Sequence, residues 1–141
     1  MDYTCGPILL LPIMKYSNYT GAVVAILLIG VCFAPWVYIE SIHTTVSGLS
    51  AANTNFGLPG LINIVLAVIA IVLFILPTTW AKRLNLFAGA FNFAWSVRNY
   101  LLITQCEMGE CPEKKWGIYA LVLLSVLLLL LSFLPKIKVK D

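Results

Sequence analysis

Four apolar stretches, Gly21 to Ile39, Gly60 to Leu76, Leu84 to Ile103 and Trp116 to Leu134, make up more than half of this chain. Each approaches the roughly 20 helical residues that a hydrocarbon core of about 30 Å demands. Between residues 16 and 81 there is no Lys or Arg, and Glu40 is the only charged side chain. A soluble domain has a charged surface, and this half of the chain has no residues from which to build one. The expectation is an all-α membrane protein, a four-transmembrane-helix bundle with spans at about 21–39, 60–76, 84–103 and 116–134.

Charge placement sets an orientation for such a bundle. Lys15 precedes the first stretch, Lys82 and Arg83 separate the second from the third, and Lys136, Lys138 and Lys140 follow the fourth; Lys114 and Lys115 lie at the opposite ends. Cytoplasmic loops carry the excess of basic residues, so both termini are expected inside. The aromatic residues agree: Trp36, Tyr38, Tyr100, Trp116 and Tyr119 gather at the outer ends, and Tyr16, Tyr19 and Trp80 at the inner ones, where amphipathic rings prefer the headgroup region. The expected location is a bacterial inner membrane. Residues 1–20 read as an interfacial segment, 21–135 as the bundle, and 136–141 as a basic cytoplasmic tail. That tail, with a formal net charge of only +3 for the chain, suits an anionic leaflet and not a nucleic acid.

Two loops join the stretches on the outer side. The first is rich in Ser, Thr, Asn and Gly and carries Glu40 and His43. One His and one carboxylate are too few for a zinc site, which needs three or four ligands, so no metal and no cofactor is expected. The second loop contains Cys106-Glu-Met-Gly-Glu-Cys111 followed by Pro112. Two cysteines five apart on an oxidising side, with Gly109 to permit a tight reversal, are expected to form a structural disulfide.

Inside the third stretch, Asn85, Asn92 and Asn99 recur every seven residues, with Gly89 and Ser96 between them. This spacing lays one polar, small-residue stripe along a helix and predicts that it faces a neighbour. Asn63 in the second stretch, and Ser125 and Ser132 in the fourth, are the natural hydrogen-bond partners. Arg98 points away from that stripe, in line with Phe87, Phe91 and Leu102, about 7.5 Å below the outer end by helical rise. A guanidinium there costs about 2.5 kcal/mol or more at mid-membrane unless it snorkels or is paired. Glu40 is the expected partner and Glu107 the alternative.

The run Arg98-Asn-Tyr, then Cys106-x4-Cys111-Pro-Glu-Lys, with an earlier Trp80-Ala-Lys-Arg turn, resembles small uncharacterised tetraspan inner-membrane proteins of bacteria. That resemblance spans roughly residues 20 to 135 and implies no activity. The Trp-Gly-Leu-Trp-Cys-Cys pattern of claudin-like tetraspans is missing. Four-helix membrane thiol oxidoreductases need a reactive Cys-x-x-Cys and a second shuttle pair, and this chain has no Cys-x-x-Cys.

The functional expectation is therefore an accessory or scaffold subunit of a membrane complex. Its partners would be the bilayer and another integral membrane protein or a second copy, met through the Arg98 face or the outer loops. The alternative is a small thiol oxidoreductase or a proton or solute conduit.

Overall fold

The computed structural model describes residues 17–51, 54–76, 78–106 and 109–133. The interfacial segment expected before residue 17, the basic tail at 136–141 and Glu107 lie outside them. Four helices, α1 (Ser17–Val31), α2 (Leu61–Ile75), α3 (Thr79–Ile103) and α4 (Trp116–Phe133), are joined at one end by three short strands, β1 (Pro35–Ile39), β2 (Thr44–Ser47) and β3 (Glu113–Lys114). Consecutive helices pack on one another and α4 returns to pack on α1, so each touches two neighbours.

The first expected span divides at Pro35. After Val31 the helix tightens, with Phe33 N–H donating to the Gly30 carbonyl (3.1 Å) and Ala34 N–H to that of Val31 (3.0 Å), the three-residue spacing of a closing 3₁₀ turn. Pro35 brings no N–H and cannot continue it. The residues that follow, Pro-Trp-Val-Tyr-Ile, are aromatic and β-branched, and they enter a strand. β1 pairs antiparallel with β2 (Tyr38 opposite Thr45, Ile39 opposite Thr44) and with β3 (Val37 opposite Lys114, Tyr38 opposite Glu113), giving the order β2-β1-β3. The register slips between Pro35 and Val37, where Pro35 has no donor for the ladder. Between β1 and β2 the chain reverses over Glu40 to His43, closed by the His43 N–H on the Glu40 carbonyl (3.2 Å), with His43 at a φ of 47°.

Trp36 fixes this sheet to the helices. It is fully buried, and its Nε1–H donates to the Val31 carbonyl at 3.0 Å. Two glycines make room for it. A Cβ on Gly48 would lie 2.9 Å from the Trp36 ring and 2.6 Å from the Cys32 carbonyl oxygen, and one on Gly117, in the first turn of α4, would sit 3.0 Å from Trp36 Cδ1. At the other end of the helices, Asn18, Phe74, Lys82 and Leu131 border one small recess, so the described chain begins and ends on the face away from the sheet.

These findings overturn the expected all-α bundle of four spans with both termini inside. The fold mixes helices with a three-stranded antiparallel sheet. Among the described residues one helix, Trp116–Phe133, is long and apolar enough to cross a membrane. α1 and α2 have 15 residues each, a rise of about 22 Å. α3 is long enough at 25 residues, but Lys82, Arg83, Arg98 and its asparagines lower its hydropathy. It begins at Thr79, five residues before the expected boundary, because the Thr78 hydroxyl accepts the Ala81 N–H (3.2 Å) and caps it. The error at Pro35 has a simple cause. A continuous apolar run reads alike for a buried strand and a helix, and periodicity cannot separate them.

Candidate functional site

α3 carries two specified faces, one inward and polar, the other outward and aromatic. On the inner face Asn85, Asn92, Ser96 and Asn99 are all buried. Asn63 of α2, fully buried, reaches into this row. Its Nδ2 donates to Asn92 Oδ1 (2.5 Å) and Ser96 Oγ (2.8 Å), and its Oδ1 accepts from Asn99 Nδ2 (3.0 Å). Asn99 Nδ2 also donates to the Pro59 carbonyl (2.8 Å), which accepts the Trp95 indole N–H as well (3.2 Å). One carbonyl at the turn before α2 is thereby held by two side chains of α3. Asn85 stands apart: its Oδ1 has no hydrogen-bond partner, and it lines the recess at the far end.

The serines of α4 do not join this network. Ser125 Oγ donates to the Val122 carbonyl (2.7 Å) and Ser132 Oγ to that of Leu128 (2.8 Å), both within their own helix. A hydroxyl in a helix always has such a carbonyl within reach, so it need not cross to a neighbour. Close packing still uses this surface, since a Cβ on Gly89 would lie 3.1 Å from Ser132 Oγ.

The outer face of α3 shows an ordered ladder. Phe87 and Phe91 are exposed; the Phe91 and Trp95 rings stack at 6.4 Å with 11° between their planes; and Arg98 Cζ lies 4.5 Å from the Trp95 ring centroid. Spacings of four, four and three residues place these side chains one above another on a helix. Arg98 forms no ion pair with Glu40, and both are exposed. Its partner is instead the aromatic face one turn below, an attraction of about 0.5–1 kcal/mol at an exposed site. The place of Trp95 three residues before Arg98 on one helix is the sequence signal for this contact.

At the sheet end, Cys106 and Cys111 form a disulfide, with Cα atoms 4.1 Å apart. The other described cysteine, Cys32, is free and fully buried, with its backbone against Gly48. His43 meets the Tyr38 hydroxyl at 3.3 Å. No group of three or more His, Cys, Asp or Glu able to hold a metal occurs among the described residues. The lysine of β3 and the one after it have local contacts: Lys115 Nζ is 3.1 Å from Glu113 Oε1, and Lys114 lies over Tyr100 at 5.8 Å. The disulfide closes a loop so short that its loss is expected to cost only about 2 kcal/mol. Intact-mass analysis after denaturing alkylation should find Cys106 and Cys111 blocked until a reductant is added, and alkylation of both without reduction would contradict the bridge.

No protein-family model, curated protein or solved structure matches this chain.

Proposed function

We propose that this protein is an accessory or scaffold subunit of a membrane protein complex, held in the bilayer and contacting its partner through the Phe87–Phe91–Trp95–Arg98 face of α3. The membrane part of this reading rests on the distribution of polarity. The buried polar side chains, four asparagines and three serines, sit within an otherwise apolar core, while large apolar side chains such as Val23, Ile26, Val72, Ile75, Leu123 and Leu130 are half or more exposed. In water that arrangement would cost on the order of 1.5–3 kcal/mol per exposed large side chain relative to its burial. Contact with acyl chains or with a partner's apolar surface removes that cost, and α4 (Trp116–Phe133) is the described helix long and apolar enough to anchor the chain.

The partner-binding part rests on the aromatic–arginine ladder. Lipid alone needs no stacked indole, and a guanidinium held over that indole is poised for a polar contact in a weakly solvated setting. Catalytic and conduit readings find less support. Cys32 is buried away from solvent, and the buried polar side chains among the described residues are Asn and Ser, none of them titratable in the physiological range.

Two measurements test this reading. Alkaline carbonate washing should leave the protein in the membrane pellet, and its release would remove the membrane assignment. Arg98→Leu should keep its thermal stability in mild detergent, because removing an exposed guanidinium leaves no buried group unpaired, and should lower partner co-purification by about tenfold. A stable Arg98→Leu protein that retains every partner would refute the role of this face.

A further inference from the structure

The sheet end holds a second feature, independent of the α3 ladder: a cleft of about 710 Å³, within the roughly 300–1,000 Å³ typical of small-molecule sites. Four separate segments of the chain form it. The end of β1 and its turn supply Ile39, Glu40 and Ile42, the segment before α2 supplies Phe56, the last turn of α3 supplies the buried Ile103, and the disulfide loop supplies Glu110 and Pro112. Cys111 is part of the wall, so the disulfide fixes one side of the cleft.

The lining has a definite chemistry. Among the described residues, Glu40 and Glu110 are the charged ones in the lining, and no Lys, Arg or His lines it. Beside these two carboxylates the lining is mixed, with Ile42, Phe56 and Pro112 as well as the neutral polar Ser41, Thr54, Asn55 and Gln105. A neutral apolar molecule would gain only the burial, an anion would be repelled, and an ammonium ion on an apolar body would match both parts. We propose that this cleft binds a small organic cation, an ammonium group carried on an apolar or aromatic body, with Glu40 and Glu110 facing the charge and Ile42 and Phe56 facing the body.

The experiment uses the full chain in a non-ionic detergent and a pair of near-isosteric probes, phenethylammonium and 2-phenylethanol, with binding read by saturation-transfer NMR titration. Phenethylammonium should bind saturably and about tenfold more tightly than the alcohol, with the difference shrinking as salt is raised. Glu40→Gln and Glu110→Gln should each weaken the cation about fivefold or more and leave the alcohol unchanged. Glu113→Gln, which removes a carboxylate outside the cleft, should change neither. Equal binding of the two probes, non-saturable uptake of both, or unchanged cation affinity in both cleft variants would overturn the proposal. So would binding of a lysine-rich peptide without binding of phenethylammonium. If a cleft variant fails to fold, the probe pair and its salt dependence on the unmodified chain decide the matter alone.

Discussion

Replacing Asn63 by alanine is expected to destabilise the protein by about 2–4 kcal/mol, although no charge and little apolar area is lost. Asn63 is the one α2 side chain that meets three polar residues of α3, through bonds of 2.5 Å to Asn92, 2.8 Å to Ser96 and 3.0 Å from Asn99. Truncation strips Asn92 Oδ1 of its donor and leaves Asn99 with the Pro59 carbonyl alone. Each buried polar group left without a partner costs about 1–3 kcal/mol in a water-excluded core, whereas helix–helix hydrogen bonds measured in membranes average only about 0.6 kcal/mol. The upper part of the range applies because one residue serves several partners and its loss orphans them together. Thermal unfolding in mild detergent measures the effect, and the double variant Asn63→Ala/Asn92→Ala should be less destabilised than the sum of the two singles. Additive losses, or a loss below about 1 kcal/mol for Asn63→Ala, would show that the α2–α3 network contributes little.

That network is also the part of the molecule most legible in the sequence. Asn85, Asn92 and Asn99 at intervals of seven can only fall on one face of a helix, and a polar face within an apolar chain has to turn inward or toward a partner. The helices at 61–75 and 116–133 were readable within a residue or two for a similar reason, since nothing within those apolar runs interrupts a helix. What escaped the sequence depends on contacts between distant segments. β1 hides inside an apolar run, and its partner Glu113–Lys114 is only two residues long and highly charged, so no periodicity marks it. Depth along the helix predicts that Arg98 snorkels or pairs with a carboxylate, and it does not predict the contact that forms, with the aromatic face of Trp95 three residues earlier. The cleft between the β1–β2 turn and the disulfide loop had no signature at all, because its walls are separated by up to some seventy residues of chain.

Trp36→Ala is expected to have the largest effect of any single change, about 3–5 kcal/mol, the range for truncating a buried aromatic side chain. The indole is the largest fully buried side chain among the described residues. It sits where three elements meet: its Nε1–H donates to the Val31 carbonyl at the end of α1, its ring lies against Gly48 after β2, and it packs at Gly117 in the first turn of α4. Its backbone carbonyl accepts the Lys115 N–H at 2.8 Å, holding β3 and the start of α4 to the same strand. Truncation would open a cavity at this junction that the surrounding backbone, already in close contact through two glycines, can fill only partly. Trp36→Phe keeps much of the buried area and loses the indole bond, so it should cost less, about 1–3 kcal/mol. Hydrogen exchange separates this site from the helical interior. In Trp36→Ala, amides of the sheet, Lys115 among them, should lose protection well before those of α2 and α3, because the Asn63 network does not depend on the indole. A stability loss below about 1.5 kcal/mol, or equal loss of protection throughout the chain, would mean that Trp36 fills space without joining the sheet to the helices.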